Sequence, residues 1–284
     1  MKIKSTFRAA KLMIMSLLFC SCAVTNSSQM AEEWFQKGET EYDNHDYEKA
    51  IECYEKAVKY KPNFAEAYKA MGNAYADWKQ DYEKAIECYK KAIKYKPDFA
   101  DAYYNIGWAY ENLNGQYKKA IEYFKKAIEL NPDLVEAYIN MGVDYAKGEH
   151  DYKKAIECFE KVVELKPDYA EAYLNMGNAY KDWNGQYEKA IECYRKAIKL
   201  KPTSALAYYN MGNAYLYLKQ DYQRAIECYE YAIIFKPNYA DAYYNIGIAY
   251  GKSGDVNQAL ECLEKAAVLG NEPAKKWLKD NEIE

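Results

Sequence analysis

Residues Ala65–Pro97 have the sequence AEAYKAMGNAYADWKQDYEKAIECYKKAIKYKP. Apolar and small residues recur in two blocks at i, i+3, i+4 and i+7, a spacing that is typical of two amphipathic helices. The spacing predicts one helix over about Ala65–Trp78 and a second over about Tyr82–Lys94. Pro97 cannot continue the second helix, so it marks the end of the unit.

The same unit returns along the chain with a period of 35 residues. The period is set by six prolines, which are Pro62, Pro97, Pro132, Pro167, Pro202 and Pro237. A fixed period of this length indicates an array of helix pairs, in which each pair buries its apolar stripe against its neighbours. We expect seven units and a C-terminal capping helix with a tail. Their bounds are 31–64, 65–99, 100–134, 135–169, 170–204, 205–239, 240–271 and 272–284.

Eight positions recur from unit to unit. In the fifth unit they hold Tyr173, Met176, Gly177, Tyr180, Ala190, Tyr194, Ala197 and Pro202. This pattern resembles the tetratricopeptide repeat, in which W-x₂-L-G-x₂-Y is followed by A-x₃-F and a proline. The resemblance covers about residues 31–270. It implies an all-α fold, a right-handed α-solenoid of seven helix-turn-helix repeats.

The first 22 residues resemble a bacterial lipoprotein signal peptide. Four basic residues precede the apolar stretch LMIMSLLF at 12–19, and this order is typical of a secretory signal. In such lipoprotein signals a cysteine after a small residue is acylated and becomes the N-terminus. We expect that residue to be Cys22, and Cys20 or ordinary cleavage after Ala23 remain alternatives. Residues 23–30 are small and polar, so they predict a flexible tether.

The leader predicts an exported protein of the bacterial cell envelope. Acylation would anchor it by lipid on a surface that faces the periplasm, whereas cleavage after Ala23 would make it periplasmic. Contact with the membrane would then occur only through the N-terminal lipid.

Composition and motifs exclude several classes of function. Lys and Arg number 39 and Asp and Glu number 43, giving a net charge of -4, whereas nucleic-acid binders carry a basic surface. The sequence contains no P-loop, dinucleotide fingerprint, nucleophile elbow or zinc-protease motif. We therefore expect no nucleic-acid partner, no catalytic residues, no cofactor and no enzymatic activity.

Six cysteines share one position in the second helix of their units: Cys53, Cys88, Cys158, Cys193, Cys228 and Cys262. Neighbouring helices lie about 8–10 Å apart, whereas a disulfide requires Cα atoms within about 7 Å. We therefore expect six free thiols. His45 and His150 lie in separate turns and no C-x₂-C pair occurs, so we also expect no metal site.

In tetratricopeptide repeat proteins the first helix of each repeat lines a concave, ligand-binding groove, and the asparagines of this chain resemble the ladders of peptide-binding members. An Asn side chain carries donors and an acceptor that match a peptide group. Aromatic rings add contact area for a peptide or a sugar. The expected groove residues are Asn73, Asn105, Asn140, Asn175, Asn178, Asn210, Asn213, Asn245, Tyr104, Trp108, Tyr209, Tyr217 and Tyr244. The alternative is that the asparagines are structural and belong to the family's average sequence.

The expected function is that of an interaction scaffold. It would act as a monomer, bind an extended segment of a protein partner in the groove, and assist the assembly of an envelope complex. The alternative is a glycan-binding module that uses the groove tyrosines.

Overall fold

The computed structural model describes residues 26–218 and 221–281, and α-helices are the only regular elements within these ranges. The chain divides into two compact units between Leu134 and Val135. The first unit contains α1 (26–43), α2 (Tyr47–Tyr60), α3 (Ala65–Lys79), α4 (Tyr82–Tyr95), α5 (Ala100–Asn112) and α6 (Tyr117–Leu130). The second contains α7 (Val135–Lys147), α8 (Tyr152–Leu165), α9 (Ala170–Asp182), α10 (Tyr187–Leu200), α11 (Ala205–Leu218), α12 (Tyr222–Phe235), α13 (Ala240–Ser253), α14 (Val256–Val268) and α15 (Glu272–Asp280). The predicted all-α fold of repeated helix pairs is confirmed.

Each of the first six helix pairs is held together by an aromatic ring that lies over a glycine. In the pair α9–α10, a Cβ at Gly177 would lie 2.5 Å from Cε1 of Tyr194, closer than real Cβ atoms approach. The Tyr194 side chain is fully buried there. Only glycine therefore allows the two helices to enclose the ring. Equivalent pairs are Gly38 and Tyr54, Gly72 and Tyr89, Gly107 and Phe124, Gly142 and Phe159, and Gly212 and Tyr229.

The turn inside a pair is built from local hydrogen bonds and left-handed residues. Before α4, Gln80 has φ 53°, and the Asp81 side chain then accepts a hydrogen bond from the backbone nitrogen of Lys84 at 3.1 Å. This cap satisfies one of the free N–H groups at the start of the helix. Before α10 the cap residue is Gln186, whose side chain makes no such bond.

The N-terminal segment differs from the prediction. The flexible tether was expected over 23–30, but residues 26–30 form the first turns of α1. The reason is packing, because Ala31 is fully buried in a cluster with Ala57 and Phe64. Ser27 also donates a hydrogen bond to the backbone oxygen of Tyr60 at 2.8 Å. The predicted signal peptide over 1–22, with Cys20 and Cys22, and Ala23 lie outside the described residues.

The last helix pair is followed by α15, which begins with a side-chain cap. Asn271 accepts from the backbone nitrogen of Ala274 at 2.9 Å, and its Nδ2 donates to Asp241 at 2.9 Å. Leu278 packs against the buried cluster at this end, whereas Trp277 is 38% exposed. None of the helices in 26–218 and 221–281 is both long and apolar enough to cross a membrane.

Candidate functional site

The expected groove asparagines lie on the odd-numbered helices, and several of them are bonded to one another. In the first unit, Oδ1 of Asn73 accepts a hydrogen bond from the Tyr89 hydroxyl at 2.9 Å. The same oxygen accepts from Nδ2 of Asn105 on the next odd helix at 2.9 Å. A carbonyl oxygen has two lone pairs, so both are used. One asparagine thus joins its own helix pair to the following one.

The second unit contains two copies of this arrangement. Oδ1 of Asn178 accepts from the Tyr194 hydroxyl and from Nδ2 of Asn210, each at 2.9 Å. Oδ1 of Asn213 accepts from the Tyr229 hydroxyl at 2.8 Å and from Nδ2 of Asn245 at 2.9 Å. We call each set a tyrosine–asparagine network. The three networks are Tyr89–Asn73–Asn105, Tyr194–Asn178–Asn210 and Tyr229–Asn213–Asn245.

The residue that follows the glycine of each odd-numbered helix is a hydrogen-bond acceptor only where the buried side chain of the even-numbered helix has a hydroxyl. Tyr54 donates to Glu39 at 2.5 Å, at the position that Asn73 occupies in the next pair. Where the buried residue lacks a hydroxyl, the corresponding position is apolar. These apolar pairs are Phe124 with Trp108, Phe159 with Val143, and Leu263 with Ile248. The middle asparagines therefore have a structural role through their oxygen.

The network of Asn178 and Asn210 leaves hydrogen-bonding groups for a ligand, whereas in the third network Asn245 also donates to the Tyr209 hydroxyl at 3.2 Å. With its oxygen occupied, Asn178 presents only the two N–H donors of its Nδ2. Asn210 donates one N–H inward and retains its own carbonyl oxygen as an acceptor. Both side chains are half-buried, so the network fixes their orientation beside solvent. Donor and acceptor lie next to each other, as a peptide group requires.

In the second unit, a cleft of about 380 Å³ opens between α7 and α9. Asn175, Asn178 and Asn210 line it together with Lys147 and Lys181. Lys181 forms an ion pair with the neighbouring Asp182 at 3.3 Å. This cleft therefore combines three predicted amides with three charged residues that were not predicted, Lys147, Lys181 and Asp182.

In the first unit, a cleft of about 250 Å³ brings together four of the expected groove residues and two further residues. The predicted ones are Asn73, Asn105, Tyr104 and Trp108. The additional ones are Tyr42, whose hydroxyl donates to the carboxylate of Asp77, and Asp77 itself. Burial and the nearby carboxylate raise the pKa of Tyr42, so its phenol remains a donor.

Asp77 and Lys147 could have been found by comparing one position among the repeats. Both stand two residues after the second tyrosine of an odd helix, where the other repeats have Asn112, Asp182, Tyr217 and Lys252. Positions that stacking fixes are nearly constant in this chain, as the glycines are. A position that changes in charge and size from repeat to repeat is therefore free to serve a ligand.

The remaining predicted residues lie in the second unit in different surroundings. Tyr209 is enclosed by the rings of Tyr229 at 5.7 Å and Tyr239 at 4.8 Å between centroids. Tyr244 packs against the cluster that α15 covers. Tyr217 is 66% exposed, and its ring stacks on Tyr187 at 6.3 Å. Asn140 is half-buried on α7.

The six cysteines of the described residues are free thiols. Burial raises the pKa of Cys88 and Cys193 to about 11 and that of Cys228 to about 12, so these thiols are protonated at neutral pH. In the described part of the chain, no three His, Cys, Asp or Glu side chains are grouped so that they could hold a metal ion.

Comparison with family models identifies repeats along most of the chain. Models described as "TPR repeat" match residues 38–77, 79–114, 144–182, 184–218 and 216–254. Models described as "Tetratricopeptide repeat" match residues 100–134 and 240–269. Between residues 38 and 269, only 78, 135–143 and 183 are left unmatched. No curated protein matches the chain.

Many solved structures resemble the chain. The crystal structure of MamA is 32% identical, with a TM-score of 0.54, over 60% of this chain and 97% of that one. YrrB, described as a TPR protein with an unusual peptide-binding site, is 24% identical, with a TM-score of 0.56, over 69% of this chain and 99% of its own. The C-terminal part of a TPR protein from Cytophaga hutchinsonii is 21% identical, with a TM-score of 0.71, over 85% of this chain and 98% of its own.

Proposed function

Because the chain belongs to the tetratricopeptide repeat family, whose fold is typical of protein–protein interaction, we propose that it binds an extended segment of a partner protein along its odd-numbered helices. The observation that carries the proposal is the set of three tyrosine–asparagine networks. Each one fixes two half-buried side-chain amides at the same positions of successive repeats.

The spacing of the networks favours an extended backbone. Neighbouring helices pack about 8–10 Å apart, and an extended chain rises about 3.3 Å per residue. Within the second unit, the amides of Asn178 and Asn213 belong to successive repeats, so about three ligand residues would separate two bonded peptide groups. Such a register suits a segment whose main chain supplies the contacts and whose side chains enter the clefts.

The test requires a variant that removes the N–H donors of the asparagine side chain, which are proposed to face the ligand, and keeps the oxygen that accepts from the tyrosine. Asn178→Asp together with Asn213→Asp does so, because a carboxylate oxygen still accepts from Tyr194 and Tyr229 while the N–H groups are lost. A phage-displayed random peptide library is selected on the immobilised protein, and the affinity of the selected peptides is measured by fluorescence anisotropy. We expect a loss of at least about tenfold, which corresponds to two or more net hydrogen bonds.

The control is Asn257→Asp, which changes the charge in the same way at an exposed position of α14. Thermal melting of all the variants shows that folding is retained. Equal affinity of the double variant and the wild-type protein would contradict binding at the asparagines, and the absence of any selected peptide would contradict peptide binding itself.

We further propose that the protein is exported and lipid-anchored through Cys22, and that its partner belongs to an assembling complex of the cell envelope. The leader sequence supports this proposal. One acyl chain binds membranes only marginally, so stable anchoring needs at least two. Cys22→Ala should move the protein to the aqueous phase in detergent partitioning, and Cys20→Ala should not. The reverse result would assign the lipid to Cys20.

A glycan-binding function is the second candidate, and Tyr217 favours it. Its ring is 66% exposed and stacks on Tyr187, so a large aromatic surface is available to a sugar. Binding to a glycan array that Tyr217→Ala abolishes would support this function. Binding of selected peptides that is insensitive to Tyr217→Ala would favour the scaffold.

A further inference from the structure

The cleft of the first unit has aromatic walls and a single charged group. Rings of Tyr42, Tyr104 and Trp108 line it, and the carboxylate of Asp77 is the one charged side chain on its walls. No lysine, arginine or histidine contributes to these walls. The cleft thus differs from the cleft of the second unit, whose walls contain Lys147 and Lys181 as well as Asp182.

The Asp77 carboxylate is oriented but not neutralised. The Tyr42 hydroxyl donates to its Oδ2, which leaves Oδ1 available as an acceptor. Among residues 26–218 and 221–281, no basic side chain forms an ion pair with Asp77. A ligand cation would therefore meet a carboxylate whose charge is still available.

The three rings are held in place from behind. Tyr42 packs edge-on against Tyr47 at 5.3 Å, and Trp108 packs edge-on against Tyr82 at 5.7 Å. The Tyr104 ring lies 5.7 Å from that of Phe124. Rings that are already ordered lose little conformational entropy when a ligand binds. Their faces also attract cations through the ring quadrupole.

We propose that this cleft binds the guanidinium group of an arginine in the extended segment, with Asp77 as its counter-ion and Trp108 as a stacking surface. A guanidinium is planar, stacks on aromatic faces and donates two parallel hydrogen bonds to a carboxylate. A lysine would pair with the carboxylate but would not stack on the rings as a planar group. A neutral sugar would stack on the rings but would not neutralise the carboxylate. The inference rests on the proposed function, since the arginine is a side chain of the bound segment.

The first experiment asks which side chains the face selects. Peptides from a phage-displayed random library are recovered on the wild-type protein and, in parallel, on Asp77→Asn. We expect arginine to be enriched on the wild-type protein and not on the variant. Selected peptides without enrichment of arginine would overturn this inference alone. No selected peptide, or binding to a glycan array in its place, would overturn both this inference and the proposed function.

The second experiment assigns the arginine to the cleft. A selected peptide and its citrulline analogue, which keeps the shape and loses the charge, are titrated against wild type and Asp77→Asn. Citrulline should weaken binding to the wild-type protein by about tenfold, as expected for a hydrogen-bonded charge, and should have no further effect on the variant. An equal effect of citrulline on both proteins would place the arginine elsewhere and overturn the inference.

The matched control is Asp98→Asn, which removes the same charge from the exposed turn before α5, at the opposite end of the helices. It should bind the arginine peptide as the wild-type protein does. In Asp77→Asn the new amide oxygen can still accept from Tyr42, so thermal melting should be unchanged. An equal loss of affinity in Asp98→Asn would indicate an unspecific charge effect and would overturn the inference.

Discussion

The hydroxyl of Tyr194 donates to Oδ1 of Asn178 at 2.9 Å, from one helix of a pair to the other. The same oxygen accepts from Asn210 in the next repeat at 2.9 Å. One amide oxygen therefore connects the interior of a helix pair with the stacking of two repeats. The oxygen has a structural role, whereas the nitrogen faces the surface that we propose to be the binding site.

Removal of this amide should cost stability. Asn178→Ala leaves the hydroxyl of the buried Tyr194 without its acceptor, which we expect to lower the free energy of unfolding by about 1–3 kcal/mol. Asn175→Ala is the control, because Asn175 makes no hydrogen bond to the described residues and its loss should cost less than about 0.5 kcal/mol. Urea unfolding followed by circular dichroism measures both.

A double substitution should restore what Asn178→Ala loses. Asn178→Val with Tyr194→Phe copies the pair formed by Val143 and Phe159 in the preceding repeat. It removes donor and acceptor together, so no polar group remains unpaired inside the helix pair. The double variant should be more stable than Asn178→Ala in the same urea experiment. If it is less stable, the hydroxyl is not the origin of the cost.

The same change at two glycines should have opposite effects. Gly177→Ala places a methyl group 2.5 Å from the Tyr194 ring, and such overpacking should cost about 1–3 kcal/mol. A Cβ at Gly251 would lie at an ordinary 3.8 Å from Cβ of Ala259, so Gly251→Ala should gain about 0.5–1 kcal/mol from reduced backbone entropy. Differential scanning calorimetry should give midpoints on either side of the wild-type value. A raised midpoint for Gly177→Ala would contradict the close contact.

A missing helix cap can be supplied. Gln186 precedes α10 with φ -73° and ψ 61°, close to the -89° and 72° of Asp151, whose side chain caps α8. Gln186→Asp should therefore accept from the backbone at the start of α10 and stabilise the protein by about 0.5–1 kcal/mol. Asp151→Gln is the reverse control and should lose a similar amount in urea unfolding. An unchanged midpoint in both variants would show that the caps contribute nothing.

The buried thiols predict a loss of stability in alkaline solution. Burial raises the pKa of Cys88 and Cys193 to about 11 and that of Cys228 to about 12, whereas an unfolded thiol titrates near about 8.5. Above that pH the unfolded chain loses protons that the folded chain keeps, so the free energy of unfolding falls as pH rises. Below it, these thiols contribute no pH dependence.

Urea unfolding at a series of pH values measures this slope. For each thiol the fall should approach about 1.4 kcal/mol per pH unit above pH 8.5. The variant with Cys88, Cys193 and Cys228 all changed to Ala should have a shallower slope between about pH 8.5 and pH 10. An identical slope in the variant would attribute the alkaline loss to other groups.

The helices could be predicted from periodicity because their burial pattern is local. The expected bounds of Ala65–Trp78 and Tyr82–Lys94 each fall one residue short of α3 and α4. Residues 26–30 could not be predicted in the same way, since their local composition is polar. Their helix depends on Ala31, which is buried by distant residues such as Ala57.

The sequence predicts which helix face carries the asparagines of the candidate site, but it does not predict the hydrogen bonds that join them. Periodicity places Asn73 and Asn105 on one face, but the bond between them joins residues 32 positions apart and depends on how repeats stack. The tyrosine partner was recognisable in principle, because the two positions change together. Tyr89 and Asn73 of one repeat are replaced by Phe124 and Trp108 in the next repeat. Asp77 was missed because an acidic residue on a helix surface is usually solvated.

The pairing of hydroxyl and acceptor also restricts how duplicated repeats can diverge. A copy of the pair Tyr194 and Asn178 that drifts towards Phe159 and Val143 needs two changes, and their order matters. If the tyrosine changes first, the Asn178 oxygen still accepts from Asn210, and it lies on a half-buried face where water can reach it. If the asparagine changes first, a buried hydroxyl is left behind at a greater cost in stability. Divergence of the tyrosine–asparagine pair should therefore pass through a phenylalanine–asparagine intermediate. A helix pair that is transplanted into another array keeps its own hydroxyl bond, but its asparagine oxygen needs a second asparagine from the new neighbouring repeat.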